Sequence, residues 1–285
     1  MTYEMLEKTA QDGSFCYVHR WEEKAIPCQY LVHAHETYEL VIFLKGDASF
    51  LVEGMEHRLE PYDIMISRPG EMHQIFHHST AEYERIVLVF TDTFFIHYDC
   101  VDYREIFTAR EIGRDNVIPA AAVKKAAVLS FISRLEHYMQ EDKDNEVVIR
   151  CALIELLYTL NQLKPQKAEG QVQNKAVLKV STYINQNLAG DLSLERLSET
   201  FFISKYYLCR TFKKYMGLTV GQYITQKRIL LAKSLHQDGY SLSEAATRSG
   251  FSDYSAFYKA FMKETGMAPR EGLNRTDVFL KEKQN

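Results

Sequence analysis

The chain has 285 residues, of which 46% are hydrophobic and 25% charged, proportions typical of a globular protein with room for two domains. No window approaches the roughly 18 consecutive apolar residues of a membrane-spanning helix, so no membrane partner is expected. The net charge of −4 divides unevenly, because residues 1–170 hold 17 Lys and Arg against 28 Asp and Glu, whereas residues 171–285 hold 17 against 10. A basic half beside an acidic half is typical of a protein in which one domain meets a polyanion.

The N-terminus and the cysteines indicate a cellular compartment. The first ten residues lack the basic region and apolar stretch of a secretory signal. The five cysteines are scattered, with no C-x-x-C pair, so neither a disulfide framework nor a zinc–cysteine site is expected. Together these features predict a cytoplasmic protein.

Short strands are predicted for the first section, residues 1–119. Runs rich in Val, Ile, Leu and Phe alternate there with turn residues such as Gly46-Asp47 and Pro69-Gly70. Regularly spaced short strands predict a small β-barrel or sandwich. The predicted strands are Tyr38–Leu44, Ala48–Glu53, Ile64–Ser67 and Glu84–Phe90.

Three histidines and one carboxylate form a candidate site in this section. His33, His35 and Glu39 share one face of an extended strand by its period of two, and a facing strand can add His73. Three imidazoles with one carboxylate suit a divalent transition metal. The alternatives are contact with an organic ligand and a polar core satisfied by its own partners, since a buried His or Glu needs partners whatever its role.

The spacing around these residues resembles both motifs of the cupin barrels. The segment from His33 to Gly46 matches H-x-H-x(3)-E-x(6)-G, and the segment from Arg68 to His73 matches P-x-G-x(2)-H with Arg68 in place of the first proline. The resemblance implies a double-stranded β-barrel with the histidines and the glutamate pointing inward. The candidate ligand-binding residues are His33, His35, Tyr38, Glu39, Arg68 and His73.

The hydrophobic period changes to that of helices at residue 120. Two apolar runs at helical spacing lie on either side of the polar break Glu141–Asn145, and they predict an antiparallel helical hairpin over residues 120–163. The pattern leaves two roles open for this hairpin, dimerisation and packing on the barrel. The polar stretch 164–173, which contains Pro165 and Gly170, predicts a linker to a helical domain over residues 174–285.

The helical second half contains an internal repeat. Each copy predicts a short helix, a tight turn and a second helix, capped by Ser204 in the first copy and by Asp253 in the second. Thr219–His236 predicts one long helix between the copies, with capping-box patterns at its start and at Ser241-Leu-Ser-Glu244. At a constant offset of 49 residues, Leu208, Arg210, Phe212, Lys214 and Gly217 recur as Phe257, Lys259, Phe261, Lys263 and Gly266.

The second helix of each copy predicts an apolar stripe and an opposite polar face. In a helix-turn-helix unit such a polar face enters the major groove near its N-terminal end. We expect Arg210 to contact guanine and the tyrosines to contact thymine methyls or phosphates. Lys213, Lys214 and Lys263 are expected to contact phosphates. The first copy should therefore carry more of the sequence specificity. The predicted DNA-contacting residues are Ser204, Lys205, Tyr206, Cys209, Arg210, Lys213, Lys214, Tyr254, Ser255, Tyr258, Lys259 and Lys263.

Over about residues 175–275 the chain closely resembles the AraC/XylS family of transcription regulators. The matching patterns include Ser204-x-x-Tyr-Leu-x-x-x-Phe-Lys-Lys-x-x-Gly217 and Gly250-Phe251-x-Asp253-x-x-x-Phe257-x-x-x-Phe261-x-Lys263-x-x-Gly266. The resemblance implies a regulator of transcription that binds double-stranded DNA. It also implies a small-molecule effector in the barrel, with a sugar or sugar derivative as the best guess, a homodimer, and RNA polymerase as a further candidate partner.

These observations predict an α+β multidomain protein. A cupin-like double-stranded β-barrel with a helical hairpin precedes an all-α domain with two helix-turn-helix units. One rival hypothesis is a cupin-type metalloenzyme that uses His33, His35, Glu39 and His73, but an enzyme has no evident need for a duplicated basic domain. A second rival is a non-specific architectural DNA binder, which would not need an acidic barrel. The sequence therefore favours a regulator and not an enzyme.

Overall fold

The structure is a computed structural model that describes residues 2–26, 32–141, 145–163, 171–172 and 174–272. The first part of the chain forms short strands that are paired antiparallel throughout the described segments. The strands are β1 (Thr2–Thr9), β2 (Phe15–Glu22), β3 (Tyr38–Lys45), β4 (Ala48–Val52), β5 (Met55–Arg58), β6 (Ile64–Ser67), β7 (His73–His77), β8 (Tyr83–Phe90), β9 (Val117–Ile118) and β10 (Gln171–Val172).

Two sheets form the predicted barrel. The first has the strand order β1-β2-β8-β3-β6-β9 and the second the order β10-β5-β4-β7. Side chains from both sheets meet in one buried cluster, in which Val41 and Val87 from the first sheet pack with Phe50 and Val52 from the second. The cluster places the hydrophobic interior of the barrel between the sheets.

Strands β3 and β8, at the centre of the first sheet, are buried on both faces. Val41 and Val87 face the barrel interior, whereas Leu40 and Leu88 belong to a second cluster that includes helices outside the sheet. A strand buried on both faces is apolar at nearly every position. This explains why the sequence predicts these two strands to within one residue of their observed bounds.

Short helices cover the outer face of the first sheet. The hairpin formed by α4 and α5 packs there through Ile132, Leu135, Leu153 and Leu157. Helix α4 ends at Gln140 and α5 begins at Glu146, on either side of the predicted break. Packing on the barrel therefore accounts for one face of the hairpin. The helices are α1 (Asp92–His97), α2 (Glu105–Thr108), α3 (Ala120–Lys125), α4 (Val128–Gln140) and α5 (Glu146–Gln162), with a 3-10 turn at Val101–Arg104.

Several elements of the first part differ from the prediction. Strands β1 and β2 and helices α1 and α2 were not predicted. Part of the predicted linker is a strand, because Gln171–Val172 pairs with Met55 and Glu56 at the edge of the second sheet. The rest of that linker, residues 164–170 with Pro165 and Gly170 and also residue 173, lies outside the described residues.

The second part of the chain is helical, as predicted. Helices α8 and α11 begin and end 49 residues apart, which matches the offset of the sequence repeat. None of the helices in the described part of the chain combines the length and the apolar character needed to cross a membrane. The helices are α6 (Lys175–Gln186), α7 (Leu194–Phe201), α8 (Lys205–Met216), α9 (Val220–Gln237), α10 (Leu242–Arg248), α11 (Tyr254–Thr265) and α12 (Pro269–Gly272).

Helix α9 belongs to the cores of both repeats. Its first half contributes Val220 and Tyr223 to the cluster around α7 and α8, and its second half contributes Ile229 and Ala232 to the cluster around α10 and α11. The predicted capping boxes are present at Thr219 with Gln222 and at Ser241 with Glu244. One continuous helix therefore connects two helix-turn-helix units.

Candidate functional site

The first candidate recognition helix is α8. The side chain of Ser204 accepts a hydrogen bond from the backbone N–H of Tyr207 and so caps the helix, as predicted. Leu208 and Phe212 are at most 2% exposed. Because these two residues fix which side of the helix is buried, the opposite side lies in solvent. The exposed residues are Lys205, Tyr206, Cys209, Arg210, Lys213 and Lys214.

The second candidate recognition helix, α11, is built in the same way. Asp253 caps it by accepting a hydrogen bond from Ala256 N–H at 2.8 Å, and Phe257 and Phe261 are fully buried. Tyr254 is only half exposed, because its ring packs beside that of Phe257 with a centroid distance of 6.0 Å. The remaining predicted positions, Ser255, Tyr258, Lys259 and Lys263, are exposed.

Direct contacts hold the two helix-turn-helix units in one arrangement. Arg228 on α9 donates hydrogen bonds to the carbonyl oxygens of Leu188 and Gly190, at 2.9 and 2.8 Å. Gly250, in the turn before α11, lies so close that a Cβ atom there would overlap the Leu188 oxygen. The 18-residue helix α9 is about 27 Å long. The contacts and the continuous helix therefore hold the two units rigidly relative to each other.

The predicted histidine set is brought together at one end of the barrel. Donor atoms of His33, His35 and His73 all lie within 4.8 Å of one another. His33 and His73 also form an isolated β-bridge, in which each backbone N–H donates to the carbonyl of the other at 3.1 and 2.9 Å. This bridge attaches the segment before β3 to the start of β7.

Glu39 on β3 completes the predicted set. One of its oxygens, Oε2, lies 3.4 Å from His35 Nε2 and 3.1 Å from His73 Nε2. Burial raises the pKa of the Glu39 carboxyl, but hydrogen bonds and charge interactions with the two imidazoles outweigh burial and hold that pKa well below its usual range. The carboxylate is therefore charged and lies between the rings.

Backbone carbonyls orient two of the rings. The Nδ1 atom of His73 lies 2.9 Å from the Glu71 carbonyl oxygen, and that of His35 lies 3.0 Å from the Thr37 carbonyl oxygen. A carbonyl can only accept, so each Nδ1 carries a hydrogen, and a metal ion bound at Nε2 would take the place of the hydrogen that faces Glu39. This arrangement is typical of histidines that bind a metal through Nε2. The set thus offers suitable donor atoms for a divalent transition metal.

Two candidate ligand-binding residues do not join this set. Tyr38 lies on the opposite face of β3, where its ring packs against Phe95 and Phe107 and its hydroxyl donates to Asp92 at 3.1 Å. Arg68 donates to the Thr108 carbonyl oxygen at 3.2 Å, away from the imidazoles. The structure therefore assembles four of the six residues.

Comparisons with known proteins agree with this two-part architecture. A model of an AraC-like ligand-binding domain matches residues 29–98, which include the histidine set. A helix-turn-helix domain model matches residues 197–275, which include α8 and α11. In both of its parts the chain is therefore similar to the AraC family of transcription regulators.

Relatives in the AraC family match most of the chain. The HTH-type transcriptional regulator YfiF of Bacillus subtilis is 24% identical over 93% of this chain and 85% of its own length. The HTH-type transcriptional activator RhaR of Cronobacter sakazakii is 23% identical over 84% of each chain. Among solved structures, ToxT of Vibrio cholerae aligns with 91% of this chain and 98% of its own at 13% identity and a TM-score of 0.39.

The matches to the two domain models establish the general function. The chain is a DNA-binding transcription regulator with an N-terminal ligand-binding domain. The proteins that it resembles over most of its length are themselves regulators, and they agree with the prediction of a regulatory protein.

Sequence reasoning missed a buried carboxylate that supports the histidine set. Glu71 is 1% exposed and receives a bidentate ion pair from Arg110 at 2.7 and 2.6 Å. It also accepts hydrogen bonds from Gly113 N–H and the Asn116 side chain, at 2.8 and 3.1 Å. Because the Glu71 carbonyl in turn orients His73, this network fixes the loop before β7. Its only sequence signal is an acidic residue inside the P-x-G-x(2)-H-like motif.

Sequence reasoning also missed two aromatic residues beside α8. Phe202 is 95% exposed and has a left-handed backbone with φ of +55°, in the turn between α7 and α8. Tyr207, in the first turn of α8, is 43% exposed. Exposed aromatic side chains at a strained turn are a feature of binding surfaces. The pair of phenylalanines at 201–202, in place of turn-forming residues, is the available signal.

Proposed function

We propose that the chain binds operator DNA through the exposed faces of α8 and α11, with each helix in a major groove. The observation that carries this proposal is the pair of equivalent helices, each capped at its N-terminus and exposed on one face, and joined by the rigid helix α9. Their fixed spacing suits one face of a DNA duplex. The net charge of +7 over residues 171–285 supplies attraction to the phosphates.

The two units have different roles in this proposal. Arg210 reads a guanine in the groove of the first unit, while Lys213 and Lys214 contact phosphates. The recognition helix of the second unit, α11, offers Tyr258 and Lys259 but no arginine, so it contributes less specificity. The other proposed contacts come from Ser204, Lys205, Tyr206, Cys209, Tyr254, Ser255 and Lys263, to which we add Phe202 and Tyr207 from the exposed surface.

Replacing Arg210 with alanine should relax base preference at one operator position, with a loss of about 1–3 kcal/mol for the preferred base. Replacing Lys214 with alanine should weaken binding to all sequences alike. It should also reduce the slope of log Kd against log salt concentration by about one, because one fewer counterion is released. The measurement selects bound sequences from a random duplex pool and then determines Kd at several salt concentrations. The proposal of sequence-specific binding fails if the wild-type protein enriches no sequence, and the assigned faces are wrong if the two variants exchange behaviours.

We propose that the effector binds at the end of the barrel that carries His33, His35, Glu39 and His73. A sugar or sugar derivative is the ligand class expected from the family resemblance. The geometry supports a second candidate, because three imidazoles converge with a charged carboxylate that lies close to two of their Nε2 atoms. These four residues would hold a divalent transition metal, which would supply a charged centre joining the strands.

Cobalt is a direct probe of the metal candidate. Adding Co²⁺ to the wild-type protein should produce visible absorption bands at a 1:1 ratio, because imidazole ligands in a low-symmetry site make the ion coloured. His73→Ala should lower the affinity at least tenfold, since it removes a ligand. The matched control is His78→Ala, which removes an exposed histidine outside the set. Equal cobalt binding by the two variants would refute the metal site and leave the sugar as the candidate ligand.

The remaining partners follow from the proposed domain organisation, with a barrel over 1–119, a hairpin over 120–163 and a DNA-binding domain over 174–285. We propose a homodimer through the outer face of α5, where Val147, Val148 and Tyr158 are exposed. A dimer would double the DNA contacts and raise apparent affinity through effective concentration. RNA polymerase remains a proposed partner and the cytoplasm the proposed location. We propose no enzymatic role for the barrel, because the relatives are regulators.

A further inference from the structure

The barrel and the DNA-binding half share a packed junction. Val32 and Ala34, before β3, and Met72, before β7, pack into the hydrophobic cluster of the first helix-turn-helix unit. Met72 is 1% exposed. Apolar side chains of the barrel are therefore part of the core of a unit that is proposed to contact DNA.

Two glycines show how closely the halves approach. A Cβ atom at Gly217, which ends α8 with φ of +72°, would lie 2.7 Å from Val32 Cγ2. A Cβ atom at Gly54, between β4 and β5, would lie 3.2 Å from Met216 Sδ. Neither position has room for a larger side chain without movement, so the junction is a fitted surface and not a loose contact.

A buried polar group lies in the middle of this junction. Glu53 follows β4 and receives hydrogen bonds from Lys227 Nζ and Tyr223 Oη, both at 2.5 Å, and from Met72 N–H at 2.8 Å. Lys227 also donates to the Gly70 carbonyl oxygen at 2.7 Å. We call Glu53, Tyr223 and Lys227 the latch. Glu53 is 3% exposed and Lys227 is 5% exposed.

A buried ion pair contributes little net stability, but it makes one arrangement specific. Both charges have lost their hydration, so moving Lys227 away from Glu53 is tolerable only if both groups reach water. The structure shows the docked arrangement, and separation of the two charges would be favourable only in an arrangement that hydrates both of them. Intermediate arrangements leave a buried charge without its partner.

The histidine set lies on the other side of the same two barrel segments. In the segment 32–36, His33 and His35 gather with His73, while the alternate residues Val32 and Ala34 pack on the DNA-binding half. In the segment 70–73, His73 faces the set while Met72 faces the junction. A ligand that moves His33 relative to His73 therefore moves both segments that hold the latch.

The charge distribution of the docked arrangement is unfavourable for DNA binding. In it, Lys227 is paired with Glu53, and Lys233 on the same helix is paired with Glu36. The docked arrangement also holds residues 1–170, with a net charge of −11, against the half proposed to meet phosphates. Repulsion of this kind acts over roughly 8–10 Å at physiological salt.

We propose that the latch of Glu53, Tyr223 and Lys227 holds the regulator in a docked state that binds DNA weakly, and that a ligand at the His33, His35 and His73 set acts by shifting this latch. The inference rests on the proposed DNA-binding function and adds its mode of regulation. The coupling between the histidine set and the DNA-contacting helices is then limited by the difference in DNA affinity between the docked and the open state.

A disulfide across the junction tests the docked state without any ligand. A Cβ at Gly217 would lie 3.7 Å from Val32 Cβ, within the roughly 3.5–4.5 Å range of disulfides, so Val32→Cys with Gly217→Cys can close the junction. Cys28 and Cys151 are changed to Ser in every protein, and Cys209, a proposed DNA contact, is left in place. The same protein without the substitutions at Val32 and Gly217, oxidised in parallel, is the control for oxidation elsewhere. The probe is a duplex selected from a random pool by the wild-type protein. Oxidation should weaken binding about fivefold or more relative to the reduced form of the same protein.

Opening the latch should have the opposite effect. Lys227→Met leaves Glu53 buried without its ion partner, so docking is disfavoured and affinity for the same duplex should rise about threefold to tenfold. The double variant Glu53→Met with Lys227→Met restores an uncharged, apolar contact and should return affinity toward that of the wild type. If the second substitution reverses the gain in affinity, the effect of Lys227→Met comes from the latch and not from a general loss of stability.

Three outcomes would overturn the latch. Equal affinity of the oxidised and reduced forms for the duplex would mean that locking the junction does not affect DNA binding. A change in the same direction on locking and on opening would mean damage to the fold. Tighter binding by the oxidised form would mean that the docked state is the active one. Failure of the DNA-binding function itself is recognised separately, because then no duplex is enriched from the pool.

Discussion

Replacing Glu71 with alanine is expected to lower the free energy of unfolding by about 3–5 kcal/mol, because the variant leaves the guanidinium of Arg110 buried without its partner. The Arg110 side chain is 3% exposed and pairs with both Glu71 oxygens. The same carboxylate holds Gly113 and Asn116, so one substitution breaks four hydrogen bonds that connect the loop before β7 to residues 110–116. Burial raises the pKa of the Glu71 carboxyl, but Arg110 outweighs burial and lowers it, so the pair is charged.

Denaturation in urea measures this loss. Trp21 on β2 is the single tryptophan and reports on the barrel by fluorescence. The matched control is Glu111→Ala in the same region, since the Glu111 side chain is 82% exposed and its ion pair with Arg114 lies at the surface. That control should change stability by less than about 1 kcal/mol. Similar unfolding midpoints for the two variants would show that the Glu71 network does not hold the loop.

The Gly250→Ala variant is expected to lose about 3 kcal/mol of stability and to bind the selected duplex more weakly. An alanine at φ of +98° is strained, and its Cβ would overlap the Leu188 oxygen and lie 2.7 Å from Arg228 Nε. The backbone oxygen cannot move without shifting the connection between α6 and α7. The variant therefore separates the two helix-turn-helix units and disturbs the Arg228 hydrogen bonds that hold their spacing.

A second glycine in the same domain provides the control. Gly221, in the first turn of α9, has no left-handed backbone, and a Cβ atom added there would have no heavy atom of the described residues within 4 Å, apart from its own neighbours in the helix. Gly221→Ala should leave stability unchanged or raise it by about 0.4–1 kcal/mol, because alanine reduces the freedom of the unfolded chain. Thermal unfolding and fluorescence anisotropy with labelled DNA compare the two variants. The proposed close approach at Gly250 is contradicted if both variants melt at the same temperature and bind equally well.

Local chemistry predicts the second half of the chain well. The caps at Ser204 and Asp253, the two capping boxes and the 49-residue offset of α8 and α11 are all confirmed. Each of these depends on residues only a few positions apart, so the sequence displays the pattern directly. In contrast, β2 has the sequence FCYVHRWE, whose His, Arg and Glu hide the strand because their partners come from distant elements. His19, for example, contacts Glu84 and Glu136.

The candidate site in the barrel also has a part that local sequence predicts and a part that depends on distant residues. The grouping of His33, His35, Glu39 and His73 is confirmed, as the motif spacing predicts. The extended strand predicted to carry the first three is not observed, because β3 starts at Tyr38 and the two histidines precede it. Including Tyr38 was inconsistent with alternation along a strand, because neighbouring residues on a strand point to opposite faces. Glu71 and Glu53 could not be assigned from the sequence, since their partners lie at 110–116 and 223–227. The DNA-contacting residues remain a prediction, although their exposure on α8 and α11 agrees with it.

The pairing of β10 with β5 limits how the two halves can move. Val172 is fixed to the barrel by this pairing, and Asn174 already caps α6 of the DNA-binding half, so one residue separates two anchored points. At about 3.5 Å per residue, the open state can be displaced by only a few ångströms at this hinge. Opening of the latch then rotates the DNA-binding half beside the barrel and does not release it from the barrel. The acidic barrel remains at high effective concentration beside the helices, so closing is rapid and independent of protein concentration.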